Sequence, residues 1–189
     1  MQIFFMNVCW NKKVFKNIQE KVDAASKSLA EERGACPDAE EYGMKERFSN
    51  KTAIAPTASI SIICGGASPG IEPIPANSYT HKTLSGSFNV RNKYLKKILS
   101  KYKKDTDDVW SSITTNQGSV SHLDFLTAEE KDTFKTAFEI DQRWIVELGA
   151  DRTPHISQAQ SINIFIPADI HKKDLHNLHF QAWKKGLKS

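Results

Sequence analysis

The sequence predicts a helix-rich α/β chain, and three observations carry that reading. Val14, Ile18, Val22, Ala25 and Leu29 recur at helical spacing and are followed by Gly34, a residue suited to stopping a helix. Ser59 to Cys64 is an isoleucine-rich run bounded by Gly65-Gly66, the pattern of a short buried strand. Ser161-Ile162-Asn163-Ile164-Phe165-Ile166 alternates polar and apolar residues and closes at Pro167, the pattern of a second strand. Helical segments separate the two strands, which together imply a βαβ-like arrangement.

The elements follow in chain order. After Asn11 the apolar period predicts a helix of about five turns. Residues 35–54 predict a connecting loop with one short turn of helix. The strand at 59–64 comes next, and then Pro, Gly, Ser and Asn dominate from Ala67 to Val90, which predicts a long ordered loop or meander. Loops of that length inside compact domains are usually functional. Tyr94-Leu95-Ile98-Leu99 and Val109-Trp110-Ile113 predict two short helices, with Asp105-Thr106-Asp107 offering a cap and first-turn acids to the second. Thr127-Ala128-Glu129-Glu130 is a capping-box pattern expected to open a longer helix through Phe134, Phe138, Ile140, Ile145 and Leu148. Pro154 cannot continue that helix. Leu175, Leu178, Ala182 and Trp183 define a final amphipathic helix.

Composition narrows the class. The chain has 189 residues, 39% hydrophobic and 25% charged, enough for a domain with a real core. Its formal charge is +4, from 26 Lys+Arg against 22 Asp+Glu, an excess too mild to indicate nucleic acid. Lysines cluster at Lys96-Lys97, Lys101-Lys104 and Lys184-Lys188, where solvated helix ends explain them better than a polyanion site. No segment has the 18 or so consecutive apolar residues of a membrane span. Met1 to Met6 is apolar but lacks a basic leader and a small-residue cleavage site, so it is not read as a signal peptide. Three cysteines without C-x-x-C spacing give neither a zinc set nor a disulfide framework, and a reduced, cytoplasmic chain is expected. Cys36 reads as a structural cysteine and Cys64 as a packed core residue.

The richest chemistry lies in Ala55 to Gly66, followed at once by Pro69-Gly70-Ile71-Glu72-Pro73. Thr57, Ser59 and Ser61 supply hydroxyls, and the small Ala58 leaves main-chain N–H groups uncovered, so an anion can collect several neutral donors without a lysine. The same pattern also serves a purely structural turn. Glu72 reads as an acid accepting loop N–H bonds, and Gln158, Gln160 and Asn163 as amides that orient strand ends. His176 and His179 share a helical face but lack a carboxylate or third ligand at fitting positions.

Several blocks in order carry a resemblance. The string PTASISIICGGASPGIEP from Pro56, its continuation Asn77-Ser78-Tyr79-Thr80-His81-Lys82-Thr83-Leu84-Ser85-Gly86-Ser87-Phe88, the block Gln158-Ala159-Gln160-Ser161-Ile162-Asn163-Ile164 and the block Phe180-Gln181-Ala182-Trp183-Lys184-Lys185-Gly186-Leu187-Lys188 resemble the catalytic large subunit of class I ribonucleotide reductases, of phage- or bacterial-like type. Leu29-Ala30-Glu31-Glu32-Arg33-Gly34-Ala35-Cys36-Pro37 resembles the family segment upstream of the phosphate turn. The resemblance runs from about residue 14 to the end, and residues 1–13 form an atypical start, either a gene interruption or unrelated sequence.

The resemblance implies the late, incomplete portion of a ten-stranded α/β barrel, whose missing part would cover its strand edges and apolar faces. It implies reduction of ribonucleoside diphosphates to deoxyribonucleoside diphosphates for DNA synthesis, through a thiyl radical generated by a small (beta) subunit. Thr57, Ala58, Ser59 and Ile60 fall on the family's phosphate-turn positions, with Ser61 beside them, and are expected to bind the substrate diphosphate. Many relatives carry Ser or Thr at the position of Ile60, which here offers only its N–H. No N-x-C-x-E radical-site pattern occurs in the sequence, so no catalytic residue is assigned and the chain alone is expected to be inactive. No metal or cofactor is expected in this chain; the complete enzyme is expected to rely on a radical or metal cofactor in the small subunit and on nucleotide effectors. The expected partners are the ribonucleoside diphosphate, the remainder of the large subunit and the small subunit, in an oligomer, with no membrane and no direct nucleic acid. A non-catalytic interaction fragment and a basic nucleic-acid-associated protein are the alternatives.

Overall fold

A computed structural model describes residues 2–65, 67–84 and 86–188. They form helices α1 (Gln2–Arg33), α2 (Pro37–Glu41), α3 (Ala58–Cys64), α4 (Lys93–Lys101), α5 (Asp107–Thr115), α6 (Ala128–Thr133), α7 (Arg143–Arg152) and α8 (Lys172–Lys184). Strands β1 (Ser78–Thr83) and β2 (Gly86–Arg91) lie between α3 and α4, and short 3-10 turns occupy Ala137–Glu139 and Thr153–His155. The chain divides into two compact units.

One unit comprises the residues up to Pro56, Gln142–Ile164 and those from Asp169 onward. The expected first helix is present and longer than its apolar period suggested, and it stops before Gly34, whose φ of 82° suits a residue without a side chain. α7 packs against α1 and α8. The unit also holds the parallel pairing of the fold: Gln158 N–H donates to Thr52 C=O at 3.0 Å, Ile54 N–H to Ala159 C=O at 3.2 Å and Ser161 N–H to Ile54 C=O at 2.8 Å. The second strand expected at 161–166 is therefore corrected. The parallel pairing is centred on Ile54 and Gln160, just ahead of the expected segment, and residues 161–166 are not themselves a strand.

The other unit comprises Thr57–Asp141 and Phe165–Ala168. Its core is Leu95 and Leu99 from α4, Trp110 and Ile113 from α5, and Val120, Leu123 and Leu126 from the following loop. The second helix begins at the cap the sequence offered, Thr106, and the first begins at Asn92, a cap the sequence reading did not name. Asn92 accepts from the Tyr94 and Leu95 N–H groups, and the Thr106 hydroxyl accepts from Val109 N–H. The expected capping box is complete, with the Thr127 hydroxyl on Glu130 N–H and the Glu130 carboxylate on Thr127 N–H. The long helix expected after it is not continuous. α6 ends at Thr133, and a second capping box, Thr136 with Glu139, starts a new turn. The segment read as a meander contains an antiparallel hairpin, paired from Ser78↔Arg91 to Thr83↔Gly86. The two observed strands are thus neighbours joined by a turn, not the two halves of a βαβ unit.

Candidate functional site

The segment expected to be a buried strand is helix α3, and its surface is open. Ile60, Ile62 and Ile63 are 60%, 62% and 84% exposed, and Cys64 is exposed as well, which corrects its assignment to the core. The physical reason is backbone satisfaction. A strand must find a neighbour to pair its N–H and C=O groups, whereas a helix closes them within itself.

Thr57 sets the entry to α3. Its φ of 53° and ψ of 30° place a β-branched residue in the left-handed region, a conformation held only when surroundings impose it. One such restraint is visible: the Thr57 hydroxyl accepts from Gly70 N–H at 2.8 Å, tying the helix entry to the Pro69-Gly70 turn. The first intrahelical bond runs from Ser61 N–H to Thr57 C=O at 2.9 Å. The N–H groups of Ala58, Ser59 and Ile60 precede that bond and stand at the positive end of the helix. Ser59 is exposed, and its hydroxyl bonds to no other described residue. Ser61 is different, because it is buried and its hydroxyl donates to Ala58 C=O at 2.8 Å.

The five expected residues are consecutive at the entry to α3 and differ in their local geometry. Thr57 shapes the turn, Ala58, Ser59 and Ile60 offer three N–H groups, Ser59 adds a hydroxyl, and Ser61 stiffens the first turn from inside. Such an arrangement can bind an oxyanion through neutral donors. Glu72 is half-buried in the loop beyond Gly70.

Sequence reading missed the frame behind this turn. Asn77 is 4% exposed; its side-chain N–H groups donate to Gly118 C=O at 3.0 Å and Phe134 C=O at 2.7 Å, and its side-chain oxygen accepts from Asn92 at 2.8 Å. Gly118, with φ of 80°, has no room for a side chain: a Cβ there would lie 2.4 Å from the Cβ of Ala76. The Gly in Asn116-Gln117-Gly118 was the available signal.

In the other unit, Arg152 is 4% exposed. Its Nε donates to Gln160 at 3.0 Å, Nη1 to Asn11 at 3.4 Å, and the guanidinium lies 5.6 Å from the Phe15 ring centroid. Gln160 also donates to Gly149 C=O and to the Thr153 hydroxyl, both at 2.9 Å, which realises the orienting role expected of this amide. A polar hollow of about 170 Å³ in the same unit is lined by Gln19, Asp23, Lys51, His155 and Ser157 among others. Its charged groups satisfy one another: Lys51 pairs with Asp23 at 2.6 Å and Glu46 at 3.3 Å, and His155 Nδ1 meets Gln19 at 2.7 Å. The histidines of α8 are likewise engaged locally, His176 against the Phe180 ring and His179 Nδ1 at 2.9 Å from Leu175 C=O.

Comparison with known proteins gives this geometry its context. The ribonucleotide reductase barrel domain matches residues 37–189. The ribonucleoside-diphosphate reductase large subunit of Invertebrate iridescent virus 6 is 48% identical over 183 residues, covering 95% of this chain and 19% of the viral protein. That of Invertebrate iridescent virus 3 is 45% identical over 182 residues, covering 95% of this chain and 29% of its own length. Among solved structures, the Actinobacillus ureae class Id ribonucleotide reductase alpha subunit superposes with a TM-score of 0.87 at 38% identity, over 96% of this chain and 32% of that one. The chain belongs to the ribonucleotide reductase large-subunit family and carries part of its barrel domain. It spans less than a third of the length of these relatives. Among the described residues, no helix is long and apolar enough to cross a membrane.

Proposed function

We propose that this chain is the part of a ribonucleoside-diphosphate reductase large subunit that holds the substrate's diphosphate, and that the site is the turn from Thr57 to Ser61. The observation that carries the reading is the strained entry at Thr57, after which the N–H groups of Ala58, Ser59 and Ile60 precede the first intrahelical bond and Ser59 is exposed. Neutral donors suit a ligand that must be bound, oriented and released, because they hold the phosphate oxygens without forming a tight ion pair. Anchoring the diphosphate fixes the position of the ribose, whose 2′-hydroxyl is the group replaced by hydrogen in the proposed reaction. The radical chemistry, its small-subunit partner with a radical or metal cofactor, and the nucleotide effectors belong to the complete enzyme in this reading.

The test uses a complete large subunit carrying this segment. Ser59→Ala removes one hydroxyl contact and leaves the amides, weakening ribonucleoside diphosphate binding by about 0.5–3 kcal/mol. Ser59→Asp sets a carboxylate against the diphosphate and weakens binding further. Affinity for the small subunit stays unchanged in both variants. Diphosphate binding that is indifferent to Ser59→Asp overturns the assignment.

A further inference from the structure

Helix α3 has seven residues, too few to be stable in water on its own strength. Packing does not account for its persistence, since Ser61 is its only buried residue. What holds it is visible at its two ends. At the entry, the Thr57 hydroxyl is bonded to Gly70 N–H. At the exit, the Lys93 ammonium donates to Gly65 C=O at 2.6 Å. Gly65 is the residue just past the helix, where carbonyls lack intrahelical partners and the helix dipole is negative, so a lysine ammonium there both fills a vacant acceptor and complements the field.

Lys93 is well placed to act as a fixed post. It is the first residue of α4, directly after the capping Asn92. Asn92 is itself doubly bound to Asn77, through its N–H to Asn77 C=O at 2.9 Å and its side-chain amide to the Asn77 side-chain oxygen at 2.8 Å. Asn77 is locked to Gly118 and Phe134, and one turn into α4 Leu95 and Leu99 are fully buried in the unit's core. The Lys93 ammonium also lies 5.3 Å from the Tyr94 ring centroid, which limits its sweep. A continuous line of bonds thus runs from the core through Asn77, Asn92 and Lys93 to the far end of α3.

We propose that Lys93 is a positioning residue for the phosphate turn: by gripping Gly65 it fixes the axis of α3, and so the direction in which the Ala58, Ser59 and Ile60 N–H groups face. This inference rests on the reading of Thr57 to Ser61 as the diphosphate site. Lys93 touches no substrate in it and acts only through the helix.

Lys93→Met keeps most of the stem and removes the donor; Lys93→Arg keeps a cationic donor of similar reach. Both are made in a complete large subunit carrying this segment, beside Ser59→Asp. With Lys93→Met, KM for the ribonucleoside diphosphate rises about two- to five-fold, as expected for losing one exposed charge-assisted hydrogen bond, while kcat and the melting temperature hold. Amide hydrogen exchange at Ser61, the first closed bond of the helix, becomes faster. Lys93→Arg restores both readouts. If Ser59→Asp abolishes diphosphate binding while Lys93→Met leaves KM and the Ser61 exchange rate untouched, the positioning role is wrong and the phosphate site stands. A fall in kcat and melting temperature with KM unmoved likewise overturns it, as the mark of a general structural defect. If Ser59→Asp has no effect on diphosphate binding, the site and the Lys93 role fall together.

Discussion

In the unit formed by residues 57–141 and 165–168, the clustered core is apolar, with Leu95, Leu99, Trp110, Ile113 and Val120 each no more than 2% exposed, although Asn77 and Thr136 are also buried in that unit. In the other unit the centre mixes Ile145, Val146 and Ile156 with a charged guanidinium, an amide and a hydroxyl, from Arg152, Gln160 and Ser26. The first can be built from many side-chain combinations of the right volume, because dispersion and the hydrophobic effect have no preferred direction. The second depends on direction: Arg152 keeps its charge in the interior only while Gln160 and Asn11 accept from it and Phe15 covers its face. Burial itself lowers the Arg152 pKa, a pull only partly countered by Asp151. The two units therefore differ in what they tolerate.

The largest effect is expected from opening the apolar centre. Trp110 is 2% exposed, donates its indole N–H to Asp105 at 2.7 Å and lies 5.2 Å from the Arg91 guanidinium. Trp110→Ala costs about 3–5 kcal/mol in denaturant unfolding. A loss below about 1 kcal/mol, the size of an ordinary surface change, contradicts the packing described.

Conservative replacements sharpen the contrast. Leu99→Met costs less than about 1.5 kcal/mol, because the volume is nearly kept. Arg152→Lys costs about 2–3 kcal/mol, because a single ammonium cannot serve Gln160 and Asn11 from the same place and leaves a buried acceptor unmet. Equal penalties for the two substitutions remove the distinction between a shape-filled and a direction-filled centre.

The smallest effect is a pH dependence belonging to the apolar unit. The Asp105 carboxyl is held below the usual range chiefly by the Trp110 indole N–H, and that of Glu130 chiefly by the Thr127 backbone N–H, with the Tyr102 hydroxyl assisting. Groups with a lowered pKa in the folded state contribute stability above their unfolded pKa and lose it as pH falls through the folded value. Unfolding midpoints measured from pH 7 downward should thus hold level for these two groups to about pH 5 and decline below about pH 4. The double variant Asp105→Asn with Glu130→Gln starts less stable at neutral pH and declines less steeply. An unchanged acid slope shows that these carboxylates do not contribute it.

By itself, the sequence determined the features that a few neighbouring residues settle. Thr106 and Thr127 start helices because their hydroxyls reach N–H groups three residues on, and the apolar spacing of Leu95, Leu99, Trp110 and Ile113 marked α4 and α5 as helices. The ordered blocks from Pro56, Asn77, Gln158 and Phe180 likewise pointed to the ribonucleotide reductase family without any structure. Tertiary structure alone decided whether Ala58–Cys64 is strand or helix, since an isoleucine-rich run suits either and the outcome turns on whether a distant segment offers backbone partners. It decided the hairpin at 78–91 for the same reason, and the interruption after Thr133, where Ala137 N–H bonds to Ile74 C=O at 2.9 Å, far away in sequence. It also decided the buried partners of Asn77 and Arg152. A polar or flexible residue carries no local mark of burial, and its role is set by which distant group the fold brings to meet it.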